Sequence, residues 1–292
     1  MRIIVPAAAG GNLDIIVRQV AQNMPQILGQ PVIIENRPGA ALLVGTQYVA
    51  KSPPDGYTLL ATANTFAGAP WLLKDVGYDP IKDFVGISAL AEVPMVVLVG
   101  ADSEIKNLGQ LVAQMKSSPD KVSYGTAGAG SAAHIVIALL MLQTGGKGLH
   151  VPFKGAAPAL LEVMAGRVTM TADTLTAALP HLRSGRLRAL AVSSTRRSPI
   201  LPDVPTVAET GIPGVNVAAW NGLLAPAGTP QAVLDKVNAA VNKAMTPELR
   251  KKLLEDGAEL IASARPQQYS EFIRDQVNIH ARVIREANIK AE

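Results

Sequence analysis

The sequence predicts an α/β protein of two domains. Short apolar runs alternate with helical patterns along most of its 292 residues. Such alternation is typical of largely parallel sheets, whose strands are covered by helices on both faces and therefore read as continuous apolar segments. Chains beyond about 250 residues usually divide into two domains. The length and the alternation together favour two α/β domains.

The predicted strands are apolar segments rich in β-branched residues. They are residues 2–6, 31–35, 57–62, 84–91, 94–99, 121–126, 148–153, 168–172 and 187–193. Helical patterns fill the intervals. In the first of them Leu13, Val17 and Val20 repeat at spacings of three and four. Pro25 should kink this helix or end its regular part, because proline cannot donate the backbone hydrogen bond of a helix interior.

The last part of the chain is predicted to be mostly helical. From residue 229 the patterns are helical, with Thr229 and Thr246 as predicted N-caps because each precedes a proline. Gly257 is the predicted stop of the second of these helices. A helical tail after a body rich in strands suggests that the tail packs back on one of the domains.

Composition excludes several classes of function. The chain has no cysteine, which rules out thiol catalysis, cysteine zinc sites and disulfides. A net charge of +4, spread along the chain, predicts no nucleic-acid partner. The N-terminal residues "MRIIVPAAAGG" lack the charged and long apolar regions of a signal peptide. The protein is therefore predicted to be cytoplasmic, or the mature part of an exported protein whose signal peptide has been removed.

Two glycine turns each lie between a predicted strand and a predicted helix. The first is in "VPAAAGGNLDIIV", residues 5–17, and the second is in "KVSYGTAGAGSAAHIVIALLMLQTGG", residues 121–146. Such a turn leaves backbone N–H groups directed outward at the start of the helix, where they can bind a phosphate or a carboxylate. Two such sites facing each other across a cleft would form a ligand clamp.

A nucleotide site is the main rival interpretation of the second turn. Residues 128–133 fit the G-x-G-x-x-A fingerprint of dinucleotide-binding folds. The acidic residue that should follow about 20 positions later is missing, since the next is Glu162. The chain also has no G-x-x-x-x-G-K-[ST] phosphate loop. The histidines show no metal-ligand spacing, so neither a cofactor nor a metal is predicted.

Two other side chains near the turns allow alternatives. Ser131 and His134 could share a helix face in a hydrolase, but no G-x-S-x-G motif surrounds the serine. The favoured interpretation is that Ser131 caps the helix or donates to a ligand, and that His134 holds the loop. Asp14 either interacts with the dipole of the first helix or binds the ligand, and the sequence leaves both open.

An ordered set of motifs resembles one family over nearly the whole chain, from Arg2 to the final helix. The motifs are "AAAGGNLDIIVRQVA", "GQPVIIENRPGA", "SPPDGYTLL", "YDPIKDF", "GTAGAGSAAH", "VPFKGAAPA", "LAVSSTRRSPILPDVPTVAETGIPG" and "WNGLLAPAGTPQAVLDKVN". Together they closely resemble the Bug/TctC proteins, the extracytoplasmic solute receptors of tripartite tricarboxylate transporters. The last two motifs are the most specific.

The resemblance implies a fold and a function. It implies a two-domain periplasmic binding protein, a Venus flytrap of type II-like topology with the ligand in the interdomain cleft. Domain 1 would be residues 1–100 plus 225–292, and domain 2 residues 101–224. The protein would be a monomeric periplasmic receptor without enzymatic activity or cofactor, which captures a small carboxylate by domain closure and delivers it to membrane permease subunits. A sensor of the same fold, and an enzyme that uses the glycine loops, stay open as alternatives.

The resemblance also implies which residues bind the ligand. They are Gly10, Gly11, Asp14, Asn64 and Thr65 on one wall, and Thr126, Gly128, Gly130, Ser131, Ala157 and Asp173 on the other.

The chain departs from the family pattern at two places. Ala7 follows Pro6 where members usually carry an aromatic residue, which suggests a wider pocket. Trp71 stands in an altered motif, "APWLL", and is interpreted as core packing in preference to a displaced aromatic wall. Trp220 follows the family pattern and should line the cleft mouth or pack at the hinge.

Overall fold

A computed structural model describes residues 1–39, 42–153 and 155–290. Its strands are β1 (Arg2–Val5), β2 (Ile33–Asn36), β3 (Thr58–Ala63), β4 (Phe84–Gly100), β5 (Ser123–Thr126), β6 (Leu149–Pro152), β7 (Met170–Thr174), β8 (Leu187–Val192), β9 (Ala218–Pro226) and β10 (Glu259–Leu260). Its α-helices are α1 (Asn12–Ala21), α2 (Met24–Leu28), α3 (Leu43–Ala50), α4 (Asn64–Leu72), α5 (Leu108–Ser117), α6 (Ala132–Thr144), α7 (Ala156–Met164), α8 (Leu175–Arg183), α9 (Gln231–Ala244), α10 (Pro247–Glu255) and α11 (Pro266–Glu286). Among the described residues, none of the helices combines the length and the apolar character that crossing a bilayer requires.

The chain forms two compact units. Unit 1 comprises Met1–Glu92, Trp220–Leu254 and Glu259–Ala281, and unit 2 comprises Val93–Ala219, Glu255–Ala258 and the residues from Arg282 on. The predicted domains change at 100/101, where β4 ends, and at 224/225, within β9, whereas the two units change within both strands. The predicted domains also assign the residues from 282 on to the first domain. The domain boundaries and the cleft stay a prediction.

The sheet of unit 1 has the strand order β2-β1-β3-β9-β4-β10. Strand β1 pairs in parallel with β2 and with β3, while β3 pairs antiparallel with β9. The parallel strands β1 and β3 therefore end at the same edge of the sheet. The loops that follow them meet there.

The sheet of unit 2 has the strand order β8-β4-β7-β5-β6. Strand β5 pairs in parallel with both β6 and β7, whereas β4 runs antiparallel to β7 and β8. The carboxyl ends of β5, β6 and β7 thus lie at one edge. Each of these strands is followed directly by a helix, as the alternating pattern predicts.

Strand β4 corrects one of the predicted boundaries. The segments 84–91 and 94–99 were expected as two strands, but they form one strand of 17 residues. Its pairing partners change along its length, from β10 at Ala91 and Glu92 to β7 from Met95 on. Pro94 lies between these two stretches, where a residue without an N–H interrupts neither ladder.

Strand β9 is absent from the predicted strands although it lies in the middle of the unit 1 sheet. Its sequence, "AAWNGLLAP", holds alanine, asparagine and glycine, which lower strand propensity. Packing overrides propensity here, because the strand is buried along most of its length.

The helix boundaries confirm most of the sequence signals. The regular part of the first helix ends before Pro25, as predicted: α1 ends at Ala21, and Pro25 lies in the first turn of a separate helix, α2. Thr246 accepts a hydrogen bond from the Leu249 N–H at 3.3 Å, as an N-cap should. Thr229 is not an N-cap, so that prediction was wrong. Its hydroxyl instead donates to the Pro226 carbonyl at 2.8 Å, and α9 begins after Pro230.

Aromatic residues form much of the unit 1 core. Phe66 stacks on Tyr78 with ring centroids 5.3 Å apart. Tyr269 of α11 is fully buried and lies directly over Gly222 of β9. A Cβ atom at position 222 would overlap the Tyr269 ring and hydroxyl. The glycine is therefore required for α11 to pack on the sheet.

We expect Gly222→Ala to lower the free energy of unfolding by about 2 to 3 kcal/mol, because the added methyl group overpacks a buried ring. Urea denaturation measures the change. Gly109→Ala is the matched control, since Gly109 lies in the first turn of α5 and the substitution there should change stability by less than about 1 kcal/mol. Equal effects of the two substitutions would contradict the close packing of Tyr269 on β9.

Candidate functional site

The predicted site residues of unit 1 lie at the carboxyl edge of its sheet. Gly10, Gly11 and Asp14 follow β1, and Asn64 and Thr65 begin α4 directly after β3. Two hydrogen bonds connect this edge to β9. The Asn12 side chain donates to Asn221 Oδ1 at 3.3 Å, and the Trp220 N–H donates to Asn64 Oδ1 at 3.0 Å. The structure thus brings the five predicted residues of this unit together.

The first glycine turn is closed by Asp14. Gly10 has a φ of +80°, in the left-handed region, and its N–H donates to Asp14 Oδ2 at 2.9 Å. The same carboxylate accepts hydrogen bonds from Arg18 Nε, which lies 2.9 Å from Oδ1 and 3.0 Å from Oδ2. It also accepts one from Asn36 Nδ2 at 2.8 Å. We call the bond from Gly10 to Asp14 the first clasp. It joins the turn to the first turn of α1.

The hydrogen bonds of Asp14 give it a structural role in the turn, while its contact with a ligand stays a prediction. Asp14 is buried, and its carboxylate is occupied by donors from its own unit. Burial raises the pKa of Asp14, but the hydrogen bonds from Arg18, Gly10 and Asn36 outweigh burial and leave the pKa below its ordinary value. An ionised, fully engaged carboxylate shapes the turn.

The second glycine turn has the same construction in unit 2. Gly128 and Gly130 have φ values of +108° and +69°. The Gly130 N–H donates to His134 Nδ1 at 3.3 Å, and His134 lies in the first turn of α6. We call this bond the second clasp. In both units, a left-handed glycine thus donates its N–H to the side chain four residues later.

Thr126 supports the second turn from the end of β5. It is fully buried, and its Oγ1 lies 3.2 Å from both the N and the O of Gly128. The same hydroxyl is 2.7 Å from His150 Nε2 on β6. His150 stacks on Tyr124 and lies 4.1 Å from His134 between ring centroids. Two histidines therefore lie beneath the turn.

Ser131 and His134 are not arranged as a nucleophile and its base. Ser131 Oγ accepts the backbone N–H of His134 at 3.3 Å, so it caps α6. The acceptor nitrogen of the His134 ring is taken by Gly130. Burial and the neighbouring His150 lower the pKa of His134 to about 4, so the ring is neutral at pH 7. The structure confirms that Ser131 caps α6 and that His134 holds the loop, while donation from Ser131 to a ligand stays a prediction.

Ala157 and Asp173 lie at the same sheet edge as the second turn. Ala157 is in the first turn of α7, which follows β6, and Asp173 is near the end of β7. Asp173 Oδ1 accepts the Thr174 N–H at 2.7 Å. Burial raises the pKa of Asp173 to about 6, against the smaller opposite effect of the Thr174 hydrogen bonds. Lys154, in the motif that precedes Ala157, lies outside the described residues.

Three helices begin at these edges without a side-chain cap. The N-cap residues of α1, α4 and α7 are Gly11, Ala63 and Gly155, and none of them has a side chain that can accept an N–H. A helix start without a side-chain cap can present its N–H groups to an anion, and the helix dipole favours negative charge there. In the ranges that the structure describes, no group of three or more His, Asp or Glu side chains is placed to hold a metal ion.

The aromatic residues of the sequence analysis have different positions. Trp71 is 52% exposed at the end of α4, so its interpretation as core packing was wrong. It lies in the last turn of a short helix, after the buried residues of that helix, which end at Ala69. Trp220 is buried in unit 1, where its Nε1–H donates to Gln276 Oε1 at 3.1 Å. Ala7 is partly buried, and its carbonyl accepts Asn36 Nδ2 at 3.0 Å.

Sequence reasoning missed the residues that hold the turns from outside. Arg18 and Asn36 fix the Asp14 carboxylate, and His150 contacts Thr126. The spacing of four between Asp14 and Arg18 is a recognisable ion-pair signal on a helix. Asn36 and His150 reach the site through strand pairing, which the sequence does not display.

We expect Asp173→Asn to stabilise the protein at pH 7 and to leave stability unchanged at pH 4. Between pH 3.8 and about 6, Asp173 is protonated in the folded state but ionised in the unfolded state. The wild type therefore loses stability relative to the variant as the pH rises through this range. The gain at pH 7 is at most about 3 kcal/mol. Urea denaturation at both pH values measures it, with the exposed Asp120→Asn as control. A variant less stable at pH 7 would contradict the burial of an isolated carboxylate.

Comparisons with known proteins agree on one family. The family model described as "Tripartite tricarboxylate transporter family receptor" matches residues 16–289. The chain is 34% identical to the periplasmic binding protein BugD, with a TM-score of 0.83 over 100% of this chain and 98% of that one.

Two similar structures contain a carboxylate. An R. palustris protein solved with adipate is 32% identical, with a TM-score of 0.87 over 100% of this chain and 98% of that chain. MatC from Rhodopseudomonas palustris, with bound malate, is 33% identical, with a TM-score of 0.81 over 97% and 98%. These matches confirm the α/β periplasmic binding protein fold that the motifs predicted. The chain belongs to the receptor family of the tripartite tricarboxylate transporters.

Proposed function

We propose that the protein is a monomeric periplasmic receptor that binds a small carboxylate and delivers it to the membrane permease of a tripartite tricarboxylate transporter. The observation that carries the proposal is the construction of the two glycine turns. Each is fixed from within its own unit, at a sheet edge where helices begin with uncapped N–H groups. Rigid backbone donors at helix starts suit a carboxylate.

The proposed ligand-binding residues are those that the family motifs indicate. They are Gly10, Gly11, Asp14, Asn64, Thr65, Thr126, Gly128, Gly130, Ser131, Ala157 and Asp173. Asp14 and Thr126 act by holding the turns, because their oxygens are bound within the unit. The Ser131 hydroxyl accepts one N–H and can still donate its own hydrogen to a carboxylate.

Hydrogen bonds of this kind provide sufficient affinity for a receptor. Each bond to a charged group contributes about 1.5 to 3 kcal/mol. Several of them reach micromolar affinity after the cost of association. The similar proteins solved with adipate and malate hold dicarboxylates. We therefore propose a small dicarboxylate as the ligand class.

The geometry of Ser131 and His134 supports a role without catalysis. A serine nucleophile needs its hydroxyl hydrogen-bonded to a basic group. Here the imidazole accepts a backbone N–H instead, and the serine accepts another. The turn is thus built to hold its shape and to present donors.

We expect a dicarboxylate to raise the melting temperature in a thermal-shift panel of mono-, di- and tricarboxylates that includes adipate and malate. A ligand at 100 times its Kd stabilises the folded state by about 2.7 kcal/mol. The panel also contains nucleotides. A shift with a nucleotide and none with any carboxylate would overturn the receptor proposal.

We expect Ser131→Ala to weaken binding of the best dicarboxylate by about tenfold, because the variant loses one donor to a charged group. It also loses a helix cap, which costs about 1 kcal/mol of stability.

Asn107→Ala is the matched control for this variant. Asn107 caps α5 in the same way, by accepting the Gln110 N–H at 2.9 Å, and it is not among the proposed binding residues. Its variant should lose similar stability and bind within about twofold of wild type by isothermal titration calorimetry. Equal affinity of the two variants would remove the Ser131 hydroxyl from the site.

A further inference from the structure

The two clasps differ in the chemistry of their acceptor. In the first, Gly10 donates to the carboxylate of Asp14, which Arg18 and Asn36 also hold. In the second, Gly130 donates to a neutral imidazole nitrogen of His134. A carboxylate of this kind stays an acceptor down to low pH, whereas an imidazole nitrogen stops accepting once it is protonated.

The tautomer of His134 follows from its hydrogen bond. A backbone N–H can only donate, so Nδ1 must be the unprotonated nitrogen and Nε2 carries the ring hydrogen. Uptake of a second proton would place a hydrogen on Nδ1, directed at the Gly130 N–H. Two donors would then face each other, and the second clasp would open.

Among the described residues, the side chains found against the ring are aromatic, and none of them is a carboxylate that would stabilise an imidazolium. Tyr124 of β5 and His150 of β6 face His134, with ring centroids at 6.0 and 4.1 Å. Asp173 of β7 shares its sheet face with Gly125, opposite to the face that carries Tyr124. Residues 127–144, from the turn to the end of α6, include no Asp, Glu, Lys or Arg.

We propose that His134 is a positioning residue for ligand binding: when neutral it holds residues 127–131 in the binding shape, and when protonated it releases them, so that acid weakens binding. The inference rests on the proposed function for its second part, the effect on the ligand. The first part, the state of the turn, concerns the protein alone.

The direction of the pH effect follows from the two states of the turn. With the clasp closed, burial and His150 lower the pKa of His134 to about 4, while an open turn returns the ring toward the ordinary value near 6.5. The free-energy difference that favours the closed turn over the open turn is therefore largest above pH 6.5, and it decreases as the pH falls toward 4. The pKa of Asp14 is below its ordinary value, so the first clasp persists over this range.

His134→Asn and His134→Leu separate positioning from simple packing. The asparagine oxygen reaches about the position of Nδ1, accepts the Gly130 N–H and does not titrate. Leucine fills the space without an acceptor. His181→Asn, on α8, is the control for loss of a histidine elsewhere. Circular dichroism checks that each variant is folded at both pH values.

The first measurement is hydrogen–deuterium exchange of the ligand-free protein at pH 7.5 and 4.5, corrected for the intrinsic pH dependence of exchange. We expect residues 127–131 to lose protection at pH 4.5 in wild type and in His181→Asn, but not in His134→Asn. Residues 7–12 are the internal reference and should keep their protection. An unchanged turn in wild type, or the same acid response in His134→Asn, would overturn the proposal.

The second measurement is adipate affinity at the same two pH values by isothermal titration calorimetry. Acidification should lower the affinity for adipate by a factor at least about tenfold larger in wild type than in His134→Asn. Adipate itself titrates equally in both experiments, so the comparison of the two proteins removes its contribution. His134→Leu should bind about three- to tenfold more weakly than wild type at pH 7.5. If wild type does not bind adipate at pH 7.5, the proposed function fails for that acid. The exchange experiment uses no ligand and still decides the role of His134.

Discussion

A glycine N–H that a left-handed turn directs inward needs an acceptor, and both glycine turns obtain one from the first turn of the following helix. Buried backbone donors are almost always paired, because an unpaired one loses its hydrogen bonds to water without replacement. His134 satisfies this requirement for the buried Gly130, and Asp14 accepts the N–H of the exposed Gly10 in the same way, each four residues after its glycine. The turn and the start of the helix therefore form one rigid piece. The outward N–H groups of the helix are presented in fixed positions as a result.

The repeated construction explains which side chains support each turn. The carboxylate of Asp14 is charged and buried, so it needs several donors, which Arg18 and Asn36 provide. The imidazole of His134 is neutral and needs only an apolar, aromatic environment, which Tyr124 and His150 provide. The same turn geometry is thus held by a carboxylate acceptor in unit 1 and by an imidazole acceptor in unit 2. The difference gives the two turns different responses to acid.

Much of the fold could be predicted from the sequence, because parallel strands buried on both faces leave continuous apolar runs. The strands around both turns, the break at Pro25 and the cap at Ser131 all carry local signals. Strand β9 carries none, since burial and pairing with β3 override its weak propensity. The predicted site residues gather at two sheet edges, but sequence reasoning could not find Asn36 or His150, which reach the turns only through strand pairing. The exposure of Trp71 likewise depends on where a short helix ends.

The position of β9 also bears on the order in which the chain assembles. Thr62 of β3 pairs with Gly222 of β9, 160 positions further along the sequence. Nearly all of unit 2 lies between these strands and is continuous, and in its sheet Val96 of β4 pairs with Val192 of β8, 96 positions further along. Long loops cost more entropy to close and make sheets slow to form. The chain can therefore form the sheet of unit 2 while unit 1 still lacks a central strand. Until β9 pairs with it, the apolar strand β3 has an unpaired edge, and such an edge is a template for pairing with another chain.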